Sequence, residues 1–251
     1  GDTEITIHSQ DNYDLRYSIL AVRPLAMNPY SELSNKHLYF TQLRLGNHEP
    51  SADGDQRTLL NVGLGFRTLA QNNNAILGIN LFYDHELDYN HQRASIGIEA
   101  ISSVGSFRFN QYYGLSGWKT GLDSIKEKAL NGDDMELGMP LPYMPWTNLY
   151  FRSFNWEGAS GAADQKGDEL SLEAKLSNFN IEVGKRSHDG TTEDEEFIRL
   201  TWTCCSNSNN ELGLSDKAYN LTSVADQRFV KVRRQNLIVK QKEMSLTVIG
   251  F

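Results

Sequence analysis

The sequence predicts an all-β fold, a twelve-stranded antiparallel transmembrane β-barrel. Three observations carry this. Apolar and polar residues alternate in run after run. The polar face of the runs holds glycines and charges, not a second core. The connections between runs alternate between short and long.

The central stretch, residues 59–118, shows the pattern best. Leu60, Val62, Leu64 and Phe66 alternate with Asn61, Gly63, Gly65 and Arg67. Leu77, Ile79, Leu81 and Tyr83 then alternate with Gly78, Asn80, Phe82 and Asp84. Ala94, Ile96, Ile98 and Ala100 follow, against Ser95, Gly97, Glu99 and Ile101. Successive strand side chains point to opposite faces, so each run is a strand with one apolar face. Runs of about ten residues, alternating throughout and joined by turns, mark a barrel whose apolar face meets lipid. Leu64, Ile79, Ile96, Leu172 and Ile181 are expected to face hydrocarbon.

Taken in order, the alternating runs are residues 3–8, 13–23, 37–46, 56–69, 74–87, 91–102, 105–118, 134–142, 147–156, 168–176, 179–186 and 195–203. The ninth is ambiguous because aromatics occupy both of its faces. Pro140 and Pro142 suggest that the eighth frays into a turn. Residues 119–133 read as a polar loop. The shorter connections, 70–73, 103–104, 143–146 and 177–178, are expected on the periplasmic side and the longer acidic ones outside. Tyr83, Tyr112, Tyr113, Trp118, Tyr143, Trp146, Tyr150, Trp156 and Trp202 lie near strand ends, as interfacial girdles do.

Residues 1–204 thus form the barrel, and 205–251 a tail too short for a second domain. The tail holds seven basic and four acidic side chains, against 17 and 28 in the barrel. In it, Ser223-Val-Ala-Asp226 looks like a helix N-cap. Residues 236–242 and 245–250 look extended.

Net charge of −8 argues against nucleic-acid binding. Mean hydropathy is −0.50. No apolar run reaches the roughly 18 residues of a transmembrane helix, but a barrel hides its apolar residues at alternate positions. The chain opens Gly1-Asp-Thr-Glu, as an exported chain does after loss of its signal. The adjacent Cys204 and Cys205 lack metal-site spacing and read as two thiols or a strained local bridge.

No catalytic set emerges: no Gly-x-Ser-x-Gly, no His-Glu-x-x-His, and six histidines mostly at strand ends or loops. An enzyme on the barrel wall, with Asp84-His85 in a Ser/His/Asp-type group, is the last-ranked reading. Asp53-Gly-Asp55 and Asn131-Gly-Asp-Asp134 read as solvated acidic loops rather than calcium sites. No cofactor is expected. The lumen-facing charges are Arg16, Arg67, Asp84, Glu99, Arg108, Glu136, Arg152, Glu173, Lys175, Glu182 and Arg199. They read either as a track gripping a translocating chain or as a ladder of cross-strand pairs.

Several motifs together resemble the β-domain of the intimin/invasin family, the inverse autotransporters. They are Asn80-Leu-Phe-Tyr-Asp-His-Glu86, Leu115-Ser-Gly-Trp118, Leu141-Pro-Tyr-Met-Pro145, Lys185-Arg-Ser-His-Asp-Gly190 and Val232-Arg-Arg-Gln-Asn-Leu-Ile-Val-Lys-Gln-Lys242. The resemblance covers nearly the whole chain. It implies an outer-membrane barrel whose linker runs back through the pore to an extracellular adhesive passenger. The family's periplasmic peptidoglycan-binding module and immunoglobulin-like repeats are not among these 251 residues.

The expected function is therefore anchoring and export of the chain's own C-terminal segment. The alternative is a stand-alone barrel, a small pore or surface structural protein plugged by its tail. Arg228, Lys231, Arg233 and Arg234 are expected in the pore, pairing with carboxylates such as Glu99, Glu136 and Glu182. Leu200 and Trp202 of the last strand are expected to form the assembly signal, in preference to the terminal Phe251. The expected partners are outer-membrane lipid, the barrel assembly machinery and, through a passenger, a receptor; the barrel is expected to be monomeric.

Overall fold

The computed structural model describes residues 2–11, 13–25, 36–48, 56–70, 72–190, 193–204 and 212–243. The strands run in chain order as follows. The first seven are β1 (Thr3–Gln10), β2 (Arg16–Pro24), β3 (His37–His48), β4 (Arg57–Leu69), β5 (Ala75–Glu86), β6 (Gln92–Ser102) and β7 (Gly105–Gly114). Two short ones follow, β8 (Lys119–Thr120) and β9 (Lys126–Ala129). The wall resumes with β10 (Gly132–Leu141), β11 (Met144–Trp156), β12 (Gln165–Leu176), β13 (Phe179–His188) and β14 (Glu195–Cys204). The last strand is β15 (Lys240–Lys242).

Twelve of these strands close into an antiparallel barrel, each paired with its neighbours in sequence around the wall. β1 and β14 form the seam, with Ile5 opposite Trp202 and Ile7 opposite Leu200. Closure leaves no edge strand, so the wall can satisfy its backbone without water. Among the described residues, no helix is long and apolar enough to cross a membrane. The span is made by strands.

Alternation sets the two faces. Leu64, Leu77, Ile79, Leu81, Ile96, Ile98, Leu172, Leu200 and Trp202 point outward and are exposed over a third or more of their surface. Ile181 shares that outward parity. Charged residues of the opposite parity are buried inside. This inverts a soluble fold and is what lipid selects.

Several expectations are corrected. The seventh strand ends at Gly114, and Leu115–Trp118 lies beyond it. Residues 119–133 hold β8, a 3-10 turn at Leu122–Ser124 and β9, which with β15 form a separate three-stranded sheet at the long-loop end. Pro140 stays in β10 rather than fraying it; the register shifts there, between Met139 and Leu141. Tyr112, Tyr150 and Trp156 are buried inside the barrel and are no girdle. Tyr83, Tyr113, Tyr143 and Trp202 do lie exposed on the outside. Asp134 is no loop residue: it is buried on the inner face, accepting from Tyr112 Oη at 2.7 Å and Asn110 Nδ2 at 2.7 Å. Ser223 is not the N-cap. A 3-10 turn spans Ala225–Phe229 and is capped by Val224 with no side-chain cap. Asp53-Gly-Asp55, Cys205 and residues 245–250 lie outside the described residues.

Candidate functional site

The inner wall is organised by one cross-strand row. Reading across the barrel, Arg67 on β4 stands opposite Gly78 on β5, then Glu99, Arg108, Glu136, Arg152, Glu169, Arg186 and Glu195 on the successive strands to β14. Once past Gly78, the signs alternate without a break. Opposite charges directly across a ladder attract, so the row fastens neighbouring strands. The geometry follows: Arg67 Nε to Glu99 at 2.6 Å, Arg108 Nη1 to Glu136 at 3.1 Å, Arg152 Nη2 to Glu136 at 2.9 Å and Arg186 Nη2 to Glu169 at 2.7 Å. Gly78 is what lets Arg67 reach past β5, since a Cβ there would lie 2.7 Å from Glu99 Oε1. Because barrel strands are staggered, the row climbs from the short-turn end at Arg67 to the long-loop end at Glu195.

A second row breaks the rule. Glu173 on β12 stands directly opposite Glu182 on β13, and beyond them come Arg199, His8 and Arg16. Like charges facing each other destabilise a sheet. Arg199 reaches Glu182 at 2.6 Å, which leaves Glu173 with Tyr150 Oη, at 3.0 Å, as its wall donor among the described residues. The missing charge comes from the tail. Arg233 donates to Glu182 at 2.9 Å and to Glu136 at 2.9 Å, lies 3.8 Å from Glu173, and stacks 3.7 Å over the Tyr150 ring.

The tail makes such contacts from one end of the lumen to the other. At the short-turn end, its backbone bonds the turns at Tyr143 and Asn73. Val224 packs on Leu69, Ile76 and Ile101. In the middle, Lys231 pairs with Glu4 at 2.6 Å, and Val232 fills an apolar patch of Leu20, Val22, Leu38, Phe40 and Phe82. Arg234 binds Asp84 with two hydrogen bonds, 2.8 and 2.7 Å, and lies 4.3 Å over Phe82. Arg93 binds the same carboxylate from the wall, at 2.8 Å. At the long-loop end, Ile238 packs on Leu59 and Ala129, and β15 pairs with β9.

Many wall donors reach the tail's main chain. Arg67 donates to the carbonyls of Arg228 and Val230, at 2.7 and 2.6 Å. Arg93 donates to those of Gln235 and Leu237, at 2.6 and 2.8 Å, and Asn61 to that of Asn236 at 3.0 Å. In return the tail's amides find side chains: Val232 N donates to Gln42 and Gln235 N to Tyr112 Oη, both at 2.8 Å.

The sequence-expected residues are placed as follows. Arg16, Arg67, Asp84, Glu99, Arg108, Glu136, Arg152, Glu173, Glu182 and Arg199 all face inward. Glu99 pairs with the wall's Arg67 and Arg108; Glu136 and Glu182 take Arg233. The Arg228 side chain bonds its own turn, at Ala225 O. Leu200 and Trp202 sit at the seam.

Sequence reasoning missed Arg57, Arg93, Glu169, Arg186 and Glu127. The first two share the inner parity of Asn61 and Ser95, so extending the alternation by a few residues finds them. Glu127 lies on the short β9, where parity carries no signal. Glu127 belongs to a cluster at the long-loop end with Glu86, His48, His91, Arg57 and Lys240. Burial pushes its carboxyl up, but contacts with His91 and Arg57 and the charge of Lys240 outweigh that and hold it below the usual range.

This closed, lipid-faced, charge-lined cylinder is a bacterial outer-membrane β-barrel. The chain belongs to the inverse autotransporter β-domain family, whose sequence profile matches residues 5–236. It is 27% identical over 147 residues to the invasin of Yersinia enterocolitica, covering 58% of this chain and 16% of that one. It is 27% identical over 261 aligned positions to the inverse autotransporter adhesin YeeJ of Escherichia coli K12, covering 97% of this chain and 10% of that one. The chain thus spans under a fifth of either relative. A membrane protein solved in work on in-meso crystallization superposes with a TM-score of 0.77 at 19% identity, over 97% of this chain and 99% of that one. A KdgM porin superposes with a TM-score of 0.50 at 10% identity, over 80% and 98%. At these identities the likeness is one of fold.

Proposed function

We propose that this barrel anchors an inverse-autotransporter-type adhesin and exports the chain's own C-terminal segment to the cell surface, residues 212–243 remaining in the lumen as the last part of that route. One observation carries the reading: the tail's partners run in chain order along the lumen, from Asn73 and Tyr143 at one end, through Glu136 and Asp84, to β9 at the other. The long-loop end is then the cell-surface end. The mechanism is physical. A closed wall leaves no backbone group unpaired in lipid, the lumen offers hydrogen bonds to an extended chain, and folding outside prevents return. No catalytic role is assigned to any residue. Two relatives bear the names of an invasin and an adhesin, which supports a cell-binding passenger with a receptor as partner. Leu200 and Trp202, at the seam, are proposed as the signal read by the barrel assembly machinery.

The test is single-channel conductance in planar bilayers, comparing the whole chain with one ending after Asn210. The truncated barrel should conduct far better. Equal conductance would place the tail outside the pore and remove the main physical support for export.

A further inference from the structure

Sequence reasoning expected no metal site. The cluster at the long-loop end has the donors for one. Glu86 ends β5, His91 lies in the turn before β6, and Glu127 sits on β9. One ligand atom from each lies within 4.8 Å of the others, and all three side chains are buried. His91 Nδ1 is held 3.0 Å from Ser116 Oγ, which also accepts from Gln92 N at 3.2 Å. His91 Nε2 is buried with no hydrogen-bond partner and points at Glu127 Oε2, 3.6 Å away. In the tautomer with the proton on Nδ1, donated to Ser116, the Nε2 lone pair faces a carboxylate oxygen, and a cation between these two acceptors would satisfy both.

The linker already supplies one cation. Lys240 Nζ hydrogen-bonds Glu86 and lies 3.8 Å from Glu127. Arg57 also grips Glu127, at 2.6 and 3.0 Å, and His48 approaches Glu86 at 3.1 Å.

We propose that Glu86, His91 and Glu127 bind a divalent transition cation such as Zn²⁺ at the outer mouth, and that Lys240 of the linker competes with it for the same oxygens. Two carboxylates and one imidazole form a zinc donor set with a position to spare. Ser116 would orient the imidazole from behind, as outer partners of ligating histidines do. Magnesium, which demands octahedral oxygen ligands, suits the set poorly. Metal and Lys240 exclude each other, so the ion reports whether the linker is seated at the mouth. The site goes beyond the export reading and stands or falls apart from it.

The experiment is calorimetric titration of ZnCl₂ into the folded full chain in detergent, with MgCl₂ as control and heat-modifiable gel migration to confirm folding. Lys240→Met should tighten zinc binding at least about tenfold, and adding His91→Ala to it should cost about 10–100-fold. Should His91→Ala fail to fold, His91→Gln serves instead, with Co²⁺ absorption reporting loss of the nitrogen ligand. Unchanged zinc affinity on Lys240→Met, or full affinity without His91, overturns the proposal.

Discussion

Arg233→Gln tests whether the linker is part of the lumen's electrostatics or merely lies in it. The wall places Glu173 opposite Glu182 in register, and Arg233 is the linker cation that reaches both. Three carboxylates lose a partner, unequally. Glu136 keeps Arg108 and Arg152, and Glu182 keeps Arg199. Glu173 keeps a tyrosine hydroxyl. Breaking a buried pair from one side costs about 3–5 kcal/mol. The surviving wall partners put this case at the low end, about 3 kcal/mol, or roughly a hundredfold in the seated-to-unseated ratio of the linker. Bilayer recordings should show opening frequency rise by about that factor. Replacing Glu173 by Gln removes the like-charge pair, so it should restore much of the loss. A double-mutant cycle should then give about 1–3 kcal/mol of coupling. Opening unchanged in Arg233→Gln, together with a coupling near zero, would refute the idea that the wall is built around the linker's charge.

On the lipid face, Ile79→Arg should cost about 2–4 kcal/mol in vesicle folding; tolerance equal to that of the same change at inward-facing Asn80 would contradict the assignment of faces. Acidification should release the linker's last strand. Glu127 is held below the usual carboxylate range, so its contribution is complete above about pH 4.3 and is lost as pH falls further. Protection of the β9 and β15 amides, corrected for their intrinsic exchange rates, should therefore be flat from pH 8 to 6 and fall below about pH 4, with Glu127→Gln reducing the change. Gly63→Val should force Phe82 out from the wall, because even a Cβ at Gly63 would lie 2.2 Å from that ring. The expected cost is about 1–3 kcal/mol, read by urea unfolding, with looser seating of Arg234 above the ring.

The wall was legible in the sequence because lipid imposes a period of two on every strand that crosses it. Leu77, Ile79 and Leu81 could not be exchanged with Gly78, Asn80 and Phe82 without exposing polar groups to hydrocarbon. The same parity sets Tyr112 inward, beside Arg108 and Asn110. Counting it with the girdles weighed residue type over position. The sheet of β8, β9 and β15 was not legible: its strands are two to four residues long, and one partner lies over a hundred residues away. Nor was the Glu173–Glu182 pairing, which depends on register between strands rather than on pattern within one.

Much of the wall's grip on the linker in the middle of the lumen is directed at peptide carbonyls: Arg67 holds two, Arg93 two, and Asn61 and Asn110 one each. Every residue of every polypeptide carries that acceptor. An extended chain moving along the lumen would exchange each carbonyl for the next at the same donor, whatever its side chains, so no stretch of cargo would be favoured over another by these contacts. Side chains are recognised as well, Lys231 at Glu4, Arg234 at Asp84 and Arg233 at the Glu173–Glu182 pair. If the barrel exports its own chain as proposed, Arg233-Arg234 would act as a stop in that chain, and its position would set how much of it emerges.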